Sequence, residues 1–476
     1  MNKSAINKLF SNTFTFAIGN LSSRLMIFLL VPIYARTLSN LEYGYTDLIN
    51  VTISLLLPIF AINIHEAVIR FTLEKSEEIS HVEILRVGLG TTLIGCIPVL
   101  IIGPIVMSLL GNLSLAPYLV IVYVLTAIKN VMMYYSRGME KVKAVIVIGF
   151  IETFLLLTLN VLFLLYLKLS LFGYFFSQII SLLVASVIYI HINRADFKLS
   201  IKTTNLRQIR KQMLKYSIPM IPNSLSWWIS NTSDKYIITF FLSVQATGVY
   251  AIAYKIPSLL NTVTKIFMDA WQISSVEEYA KNSEASFTSV FNFFYRLNVF
   301  GCFFLIMFSN VIGKIMFSQN FISAVQFVPI LLLAYLFNGL ASYLGTIYTT
   351  SLNTKMLFYS TGIGAIVNIT LNILLIPTIG VMGAAIATCV SYFSIFLFRL
   401  IDTGRLIKIH FSKTAFILNI GILTLYSIYK TLDFFDEYEV ISILIFLGLL
   451  LLNKQYILKF LLGIKQVFTK IIGGGK

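Results

Sequence analysis

The chain has 476 residues, of which 58% are hydrophobic and only 12% are charged. Apolar segments follow one another so closely that the loops leave no room for a soluble catalytic domain. The formal charge of +16 would suggest a nucleic-acid partner in a soluble protein. In a chain this apolar it indicates membrane topology instead, because basic residues collect in cytoplasmic loops.

About fourteen apolar segments are close to the roughly 20 residues that a helix needs to cross a bilayer. They are too long for barrel strands and lack period-two alternation, so the predicted fold class is an all-α integral membrane protein. The predicted spans, in chain order, are 12–34, 45–64, 86–110, 115–135, 144–167, 171–192, 216–241, 248–270, 290–309, 325–350, 356–377, 379–400, 414–430 and 439–460.

The distribution of basic residues predicts the orientation. With the N-terminus inside, about 26 Lys and Arg residues fall in cytoplasmic segments, whereas the outer loops hold Arg36, Lys168, Lys314 and Lys430. We therefore predict a multi-pass protein with both termini in the cytoplasm and no nucleic-acid partner. The three cysteines lie in spans and the four histidines are scattered, so neither a disulfide framework, a metal site nor a cofactor is expected.

The second half of the chain repeats landmarks of the first. Residues 38–44 match residues 242–248 through Leu-Ser-x4-Gly, and residues 158–162 match residues 370–374. Spans 1–6 and 7–12 therefore form two related six-helix bundles. Because six is even, the repeat is parallel, which is typical of transporters with a substrate path between two bundles. Duplication of a scaffold without transport is the alternative.

The repeat also predicts the domain organisation. Residues 193–215 hold seven basic residues against one acid, and their apolar residues follow a helical spacing. This pattern predicts a basic amphipathic helix on the inner leaflet, with a regulatory or partner-binding role as an alternative. The predicted domains are an N-terminal six-helix lobe (1–192), this cytoplasmic linker (193–215), a C-terminal six-helix lobe (216–410), and helices 13 and 14 with a cytoplasmic tail (411–476).

Charged side chains inside the spans need partners, because an unpaired charge at membrane depth is costly. Residues equally far from the turn of a helix hairpin lie at similar depth, which predicts an Asp234–Lys255 pair between spans 7 and 8. The same geometry predicts a Lys129–Glu152 pair between spans 4 and 5. Each pair either neutralises itself to hold the bundle together, or binds substrate through its lysine and couples an ion through its acid.

Two cations lack an evident acid partner in this pattern. Arg24 lies near the middle of span 1 with no acid at matching depth on span 2, and Lys235 points about 100° away from Asp234 around its helix. They predict a cavity that receives an anion, and the planar fork of arginine suits a phosphate. We therefore predict that Arg24 and Lys235 bind substrate.

Three further residues are candidates for the transport path. Trp227 lies deep in span 7, and because indoles stack on sugar faces it is a candidate glycan contact, with plain core packing as the alternative. Glu66 and Arg70 close span 2 at the cytoplasmic face. They predict an inner gate that is made and broken during transport, or alternatively an interfacial anchor with a local salt bridge.

Short motifs occur in a fixed order along nearly the whole chain. They are Gly-Asn-Leu at 19–21, Pro-Ile-Tyr-Ala-Arg-Thr-Leu-Ser at 32–39, Glu-Tyr-Gly at 42–44, Glu-Ala-Val-Ile-Arg-Phe at 66–71, Pro-Asn-Ser at 222–224, Asp-Lys-Tyr at 234–236, Gly-Val-Tyr at 248–250, Tyr-Lys-Ile-Pro at 254–257, Ile-Pro at 376–377 and Gly-Ala-Ala at 383–385. The ordered set resembles the signatures of the polysaccharide-biosynthesis flippases called Wzx.

The resemblance implies the multidrug/oligosaccharidyl-lipid/polysaccharide (MOP) exporter fold, a MATE-like fold with two lobes, in a bacterial cytoplasmic (inner) membrane. It implies alternating-access transfer of an undecaprenyl-diphosphate-linked oligosaccharide repeat unit to the outer leaflet, for O-antigen (lipopolysaccharide), capsule or exopolysaccharide assembly. The implied partners are this lipid-linked glycan and membrane lipids, with a glycan polymerase and a chain-length regulator as further candidates. The second half departs from the expectation for an anionic substrate, because it has few internal arginines.

Three alternatives remain open. An ion-coupled drug or cation exporter of the same fold would favour buried carboxylates over buried cations. A membrane glycosyltransferase or glycan polymerase would need an outer catalytic loop, and the acidic cluster at 433–439 lies in a loop too short for one, so we do not expect an enzyme. A membrane scaffold that does not transport is the third.

Overall fold

The computed structural model describes residues 26–74, 80–198, 206–281, 283–351, 353–432 and 442–454. These residues form helices joined by short turns, and no strand occurs among them. In this described part, 10 helices are long and apolar enough to cross a membrane, and shorter apolar helices accompany them. The predicted all-α membrane fold is confirmed, whereas the number of fourteen spans is not.

The chain folds as two compact units, Met1–Ile252 with Met316–Phe321, and Ala253–Ile315 with Ile322–Lys476. The first helices are α1 Met26–Thr37, α2 Asn40–Phe60, α3 Ile64–Leu73, α4 His81–Leu109, α5 Ala116–Gly138, α6 Val142–Asn160, α7 Ser170–Ile192, α8 Arg194–Lys198, α9 Leu206–Ser217, α10 Ile221–Phe241 and α11 Val244–Ala253. The remaining helices are α12 Lys255–Ala280, α13 Glu284–Met307, α14 Ser309–Met316, α15 Val328–Thr350, α16 Thr354–Ile379, α17 Val381–Thr403, α18 Lys413–Leu432 and α19 Ser442–Lys454. The boundaries predicted for the lobes and the linker stay predictions.

The start and the end of α2 follow from local sequence. Ser39 caps the helix and exchanges hydrogen bonds with Glu42 in a capping box. The helix ends at Phe60, and Ile62 and Asn63 then adopt positive φ angles of 55° and 48°. Because this conformation interrupts the helical hydrogen bonds, α3 starts as a separate helix beyond the break.

The two copies of the repeated Leu-Ser-x4-Gly motif pack directly against each other at the starts of α2 and α11. A Cβ added at Gly44 would lie 2.2 Å from the Val244 carbonyl oxygen, and one added at Gly248 would lie 2.0 Å from the Asn40 carbonyl oxygen. Val244 corresponds to Asn40 through the repeat, so the two contacts are reciprocal, as at a twofold axis. The geometry agrees with a parallel repeat and leaves room only for glycine at both positions.

Helix α5 forms the centre of the first bundle, where it packs against α3, α4 and α7. Its Tyr123 and Tyr135 side chains are completely buried. By contrast, α4 exposes Leu93, Ile97 and Ile101 by more than half of their surface, at 53%, 59% and 66%. Only a helix that faces lipid carries such a wholly aliphatic exposed side, so these residues define what a lipid-facing surface looks like in this chain.

The predicted basic amphipathic helix is present as α9, but its apolar side does not lie on the inner leaflet. Ile209 and Met213 are buried in a hydrophobic cluster that includes Val68 and Tyr135, and α9 packs against α3 and α4. The first bundle thus supplies the apolar surface that we had expected the membrane to supply. The exposed basic side chains of this helix are Arg207, Arg210, Lys211 and Lys215.

Helix α15 is the most enclosed helix of the second unit, and it packs against α12, α13, α17 and α18. Trp271 of α12 stacks on Tyr343 of α15 with ring centroids 5.6 Å apart and planes inclined by 10°. This stacking packs α12 against α15, although α12 is not among the helices that are apolar enough to cross a membrane.

Candidate functional site

Lys235 on α10 has an acid partner that hairpin geometry did not reveal. Its Nζ lies 2.8 Å from Oδ2 of Asp47 on α2 and donates a hydrogen bond of 3.0 Å to Oδ1. The prediction that Lys235 lacks an acid partner is therefore wrong. Equal depth in a hairpin relates only helices that are neighbours in sequence, whereas α2 and α10 are far apart in the sequence and meet only through the fold.

The ion pair belongs to a polar seam, which we define as the contacts between α10 and residues 47–63. Besides the Lys235–Asp47 pair, the seam holds hydrogen bonds from Trp228 Nε1 to the Val51 carbonyl at 3.0 Å, from Asn63 Nδ2 to Ser224 Oγ at 2.9 Å, and between the hydroxyls of Thr52 and Tyr236. Polar groups at membrane depth require such partners, so the seam fixes the rotation of α10 about its axis.

Trp227 lies next to the seam but outside it. The side chain is 41% exposed, so plain core packing does not describe its environment. Asn223 is exposed one turn before it, and Asn231 is half-buried one turn after it. A helix side that combines an exposed indole with amide groups is unlike the aliphatic lipid-facing side of α4, and the predicted glycan contact stays a prediction.

Asp234, Lys255 and Arg24 are the candidates about which the structure says least. Asp234 is buried, and its Oδ2 accepts a hydrogen bond of 2.8 Å from the Tyr250 hydroxyl. Lys255 is half-buried at the start of α12, and its pairing with Asp234 stays a prediction. Arg24 lies outside the described residues, so its role as a ligand of the diphosphate is likewise a prediction.

The predicted pair between spans 4 and 5 is confirmed, since Lys129 Nζ lies 2.8 Å from Glu152 Oε1. Both residues line a cavity of about 310 Å³ inside the first unit. The lining continues with Asn50 and Gln178, where Gln178 Nε2 donates to Asn50 Oδ1 at 3.0 Å. A titratable acid, a cation and two amides around one cavity can bind a proton or a small cation, which agrees with the coupling role predicted for Glu152.

Glu66 and Arg70 lie on α3 and contact different partners. Glu66 accepts a hydrogen bond from the Tyr134 side chain on α5, and the Arg70 guanidinium lies 4.8 Å from the centre of the Tyr216 ring on α9. His65 Nε2 is 3.8 Å from Glu66, but burial lowers the pKa of His65 to about 4, so this contact is not an ion pair at neutral pH. The predicted role of Glu66 and Arg70 as a gate stays a prediction.

The second unit contains two buried arginines that were not among the predicted site residues. Arg399 on α17 is 3% exposed and Arg296 on α13 is 6% exposed. The Arg399 guanidinium donates to the Ala341 carbonyl at 2.8 Å and to the Ser360 and Thr361 hydroxyls at 2.9 and 3.1 Å. Both arginines lie inside predicted spans, and charge inspection alone would have found them.

Comparison with known proteins places the fold and the family. The family described as polysaccharide biosynthesis protein matches residues 9–271. The uncharacterized membrane protein MJ1375 of Methanocaldococcus jannaschii is 24% identical over 420 residues, which cover 82% of this chain and 96% of that protein. A second membrane protein of that organism, MJ1068, is 32% identical over 136 residues, but the match spans only 26% of its length and 27% of this chain.

Two solved structures share the architecture. A structure described as the lipid II flippase MurJ in an inward closed conformation superposes with a TM-score of 0.69, at 17% identity, over 94% of this chain and 100% of that one. An inward-facing multidrug resistance MATE family transporter of the MOP superfamily superposes with a TM-score of 0.66, at 15% identity, over 82% of this chain and 98% of that one. These likenesses show that the chain has the fold of those two proteins, and the family match shows that it belongs to the polysaccharide biosynthesis protein family.

Proposed function

We propose that the chain is a flippase that moves an undecaprenyl-diphosphate-linked oligosaccharide repeat unit from the inner to the outer leaflet by alternating access. The Lys235–Asp47 pair is the observation that carries the proposal. The two side chains are 12% and 16% exposed, so the cation is shielded without being sealed. A diphosphate needs a compensating cation at membrane depth, and Lys235 can exchange the carboxylate of Asp47 for the phosphate.

The same pair explains how the empty carrier returns. When the substrate leaves, Lys235 regains Asp47, and no unpaired charge stays at membrane depth during the return. Glu152 and Lys129 in the cavity of the first unit are the proposed coupling elements, because the 21% exposure of the Glu152 side chain leaves its carboxylate accessible to a proton or a cation. Arg24, Lys255 and Trp227 are proposed as further substrate contacts, and Asp234, Glu66 and Arg70 as coupling or gating residues.

Deletion of the gene in its host tests the function. A flippase of this class leaves its lipid-linked repeat units in the inner leaflet when it is lost, so they should accumulate in extracted lipids while surface polysaccharide disappears. Expression of the wild type should restore the polysaccharide, and Lys235→Met should not. Unchanged surface polysaccharide and lipid pools in the deletion strain would contradict the proposal.

A drug or cation exporter is the second candidate, and Asp234 favours it, because a buried carboxylate is suited to binding a cation. The deletion strain distinguishes the flippase from the exporter, because the two functions predict different phenotypes. Loss of an exporter should sensitise the cells to cationic dyes and leave surface polysaccharide intact. If that pattern is found, the exporter replaces the flippase as the function.

The proposed location is the cytoplasmic membrane with both termini inside, and thiol labelling of intact cells tests the orientation. Lys168→Cys should react with an impermeant maleimide from outside, whereas Lys211→Cys on the exposed side of α9 should react only after the cells are opened. Labelling of Lys211→Cys in intact cells would invert the topology. A variant without the native cysteines, which lie in helices, serves as the background for both.

A further inference from the structure

One side of α10 carries polar and aromatic groups that the seam does not use. Asn223, Trp227 and Asn231 follow each other at intervals of four residues, or about 6 Å along the helix axis. The amide of Asn231 is held in place, because its Nδ2 donates a hydrogen bond of 2.6 Å to the Trp227 carbonyl. We call these three residues the α10 strip.

The orientation of the strip is fixed by the contacts of its neighbours. Trp228 and Ser224 each follow a strip residue directly, and both hydrogen-bond to residues of the α2 segment. Consecutive residues point about 100° apart around a helix. Since the seam determines where Trp228 points, Trp227 is directed to one side of the seam, where 41% of its surface is exposed.

The composition of the strip argues against lipid as its occupant. Between residues 93 and 105, α4 exposes only leucine and isoleucine, and the C-terminal end of α10 carries Phe240, which is 82% exposed. The Asn231 amide has a partner in the Trp227 carbonyl, whereas the exposed Asn223 amide would be costly to place in hydrocarbon, which offers it no hydrogen-bond partner. An exposed indole one turn from an exposed asparagine is therefore suited to a ligand that is apolar on one face and rich in hydroxyl groups around its rim.

We propose that the α10 strip binds the sugars of a lipid-linked glycan, with the Trp227 indole against the C–H face of one sugar ring and the Asn223 amide bonded to a hydroxyl of the same ring or its neighbour. The strip carries no charge, which matches a neutral sugar, and Lys235 follows Asn231 by one further turn, next to where a diphosphate would bind. This inference rests on the proposed flippase function and assigns the part of the substrate that α10 recognises.

Binding to purified protein in nanodiscs tests the strip. The probes are farnesyl diphosphate and farnesyl diphosphate linked to glucose, galactose or N-acetylglucosamine, with dissociation constants measured by calorimetry. In the wild type we expect at least one sugar-linked probe to bind about three- to tenfold more tightly than farnesyl diphosphate, as expected for one aromatic contact. Trp227→Ala should remove this difference and leave the affinity for farnesyl diphosphate unchanged.

Three variants complete the design. Trp227→Phe keeps an aromatic face and should retain part of the sugar preference, even if Trp227→Ala fails to fold. Asn223→Leu should reduce the preference through the loss of one amide. Phe240→Ala removes an even more exposed aromatic ring from the same helix and should leave the preference unchanged.

The outcomes separate the strip from the proposed function. A sugar preference that persists in a monodisperse Trp227→Ala protein overturns the strip. So does a wild type that binds farnesyl diphosphate but gains nothing from any of the three sugars, and in that case the flippase proposal survives. If the wild type binds none of the probes, both proposals fall.

Discussion

The two compact units hold their membrane-depth cations in different ways. In the first unit Lys129 and Lys235 each face a carboxylate at 2.8 Å, and their side chains are 17% and 12% exposed. In the second unit Arg399 is 3% exposed and gives its hydrogen bonds to a backbone carbonyl and two hydroxyls. The lysines are thus paired with carboxylates that keep some exposure, whereas Arg399 is enclosed by neutral acceptors.

This difference separates exchangeable charges from fixed ones. A lysine–carboxylate pair with some solvent access can lose its partner and regain it, because another anion compensates the cation meanwhile. A guanidinium that bridges two helices through neutral oxygens has no such alternative, since α15 and α16 would have to separate to release it. We therefore expect function to depend on the lysines and folding to depend on Arg399.

The largest expected effect comes from breaking the Lys235–Asp47 pair. Asp47→Asn or Lys235→Met alone strands a charge at membrane depth and should lower the free energy of unfolding by about 3 kcal/mol. The double variant strands none and should recover most of the stability while surface polysaccharide stays absent. Thermal unfolding in detergent measures the first effect, polysaccharide staining measures the second, and Lys168→Met in an exposed turn is the control. If the double variant exports polysaccharide normally, the pair contributes to stability and not to transport.

Removal of Arg399 should have the next largest effect. Arg399→Ala leaves a cavity and loses three hydrogen bonds to α15 and α16, which should cost about 2 kcal/mol of unfolding free energy. Arg405→Ala removes the same residue type just beyond α17, where the side chain is 80% exposed, and should change the melting temperature little. Arg399→Lys should behave like Arg399→Ala, because an ammonium group cannot reach all three acceptors. Equal melting temperatures for the Arg399 and Arg405 variants would contradict the distinction between the two units.

The Lys129–Glu152 pair should matter less for stability than for transport. It is more exposed than Lys235–Asp47 and lines a cavity, so Lys129→Met should cost only about 1 kcal/mol. Glu152→Gln should fold well yet lose the dependence of transport on an ion gradient, because an amide binds no proton. Glu74→Gln, which changes an exposed acid just beyond α3, is the control. Gradient-dependent transport by Glu152→Gln would remove this residue from the coupling scheme.

The effect that is smallest at neutral pH concerns His65, and it grows as the pH falls. Burial lowers the pKa of His65 from its ordinary 6.5 to about 4, so the fold disfavours the protonated ring. His65 should therefore cost the protein stability as the pH falls from about 6.5 towards 4, and His65→Gln should flatten the pH dependence of the melting temperature over that range. His191→Gln, at an exposed histidine near the end of α7, should keep the wild-type slope. If the two variants show the same slope, His65 is not the source of the pH dependence.

Hydropathy and local geometry predicted the architecture and part of the candidate site. Apolar segments long enough to cross a bilayer predicted the fold class, and equal distances from a turn predicted the Lys129–Glu152 pair. Both predictions succeeded because span length and hairpin depth depend only on residues that are close in the sequence. The Lys235–Asp47 pair could not be found in this way, since no local rule brings α2 beside α10. Arg399 was overlooked because its partners are neutral and a search for acids does not detect them. The packing of α9 was misjudged because an apolar helix side does not reveal whether lipid or protein covers it.

The reciprocal contact of Gly44 and Gly248 has a consequence for the energetics of motion. Apart from one methyl group of Val244, the atoms nearest the two glycines are backbone atoms, so the contact orders no long side chain when it forms. The loss of rotamer freedom that accompanies most helix contacts, which reaches about 2 kcal/mol for a long side chain, is absent here. The starts of α2 and α11 can therefore separate and rejoin with little entropic cost. A side chain added at either Gly44 or Gly248 would keep the two helix starts apart, because it would collide with the backbone of the other copy of the motif.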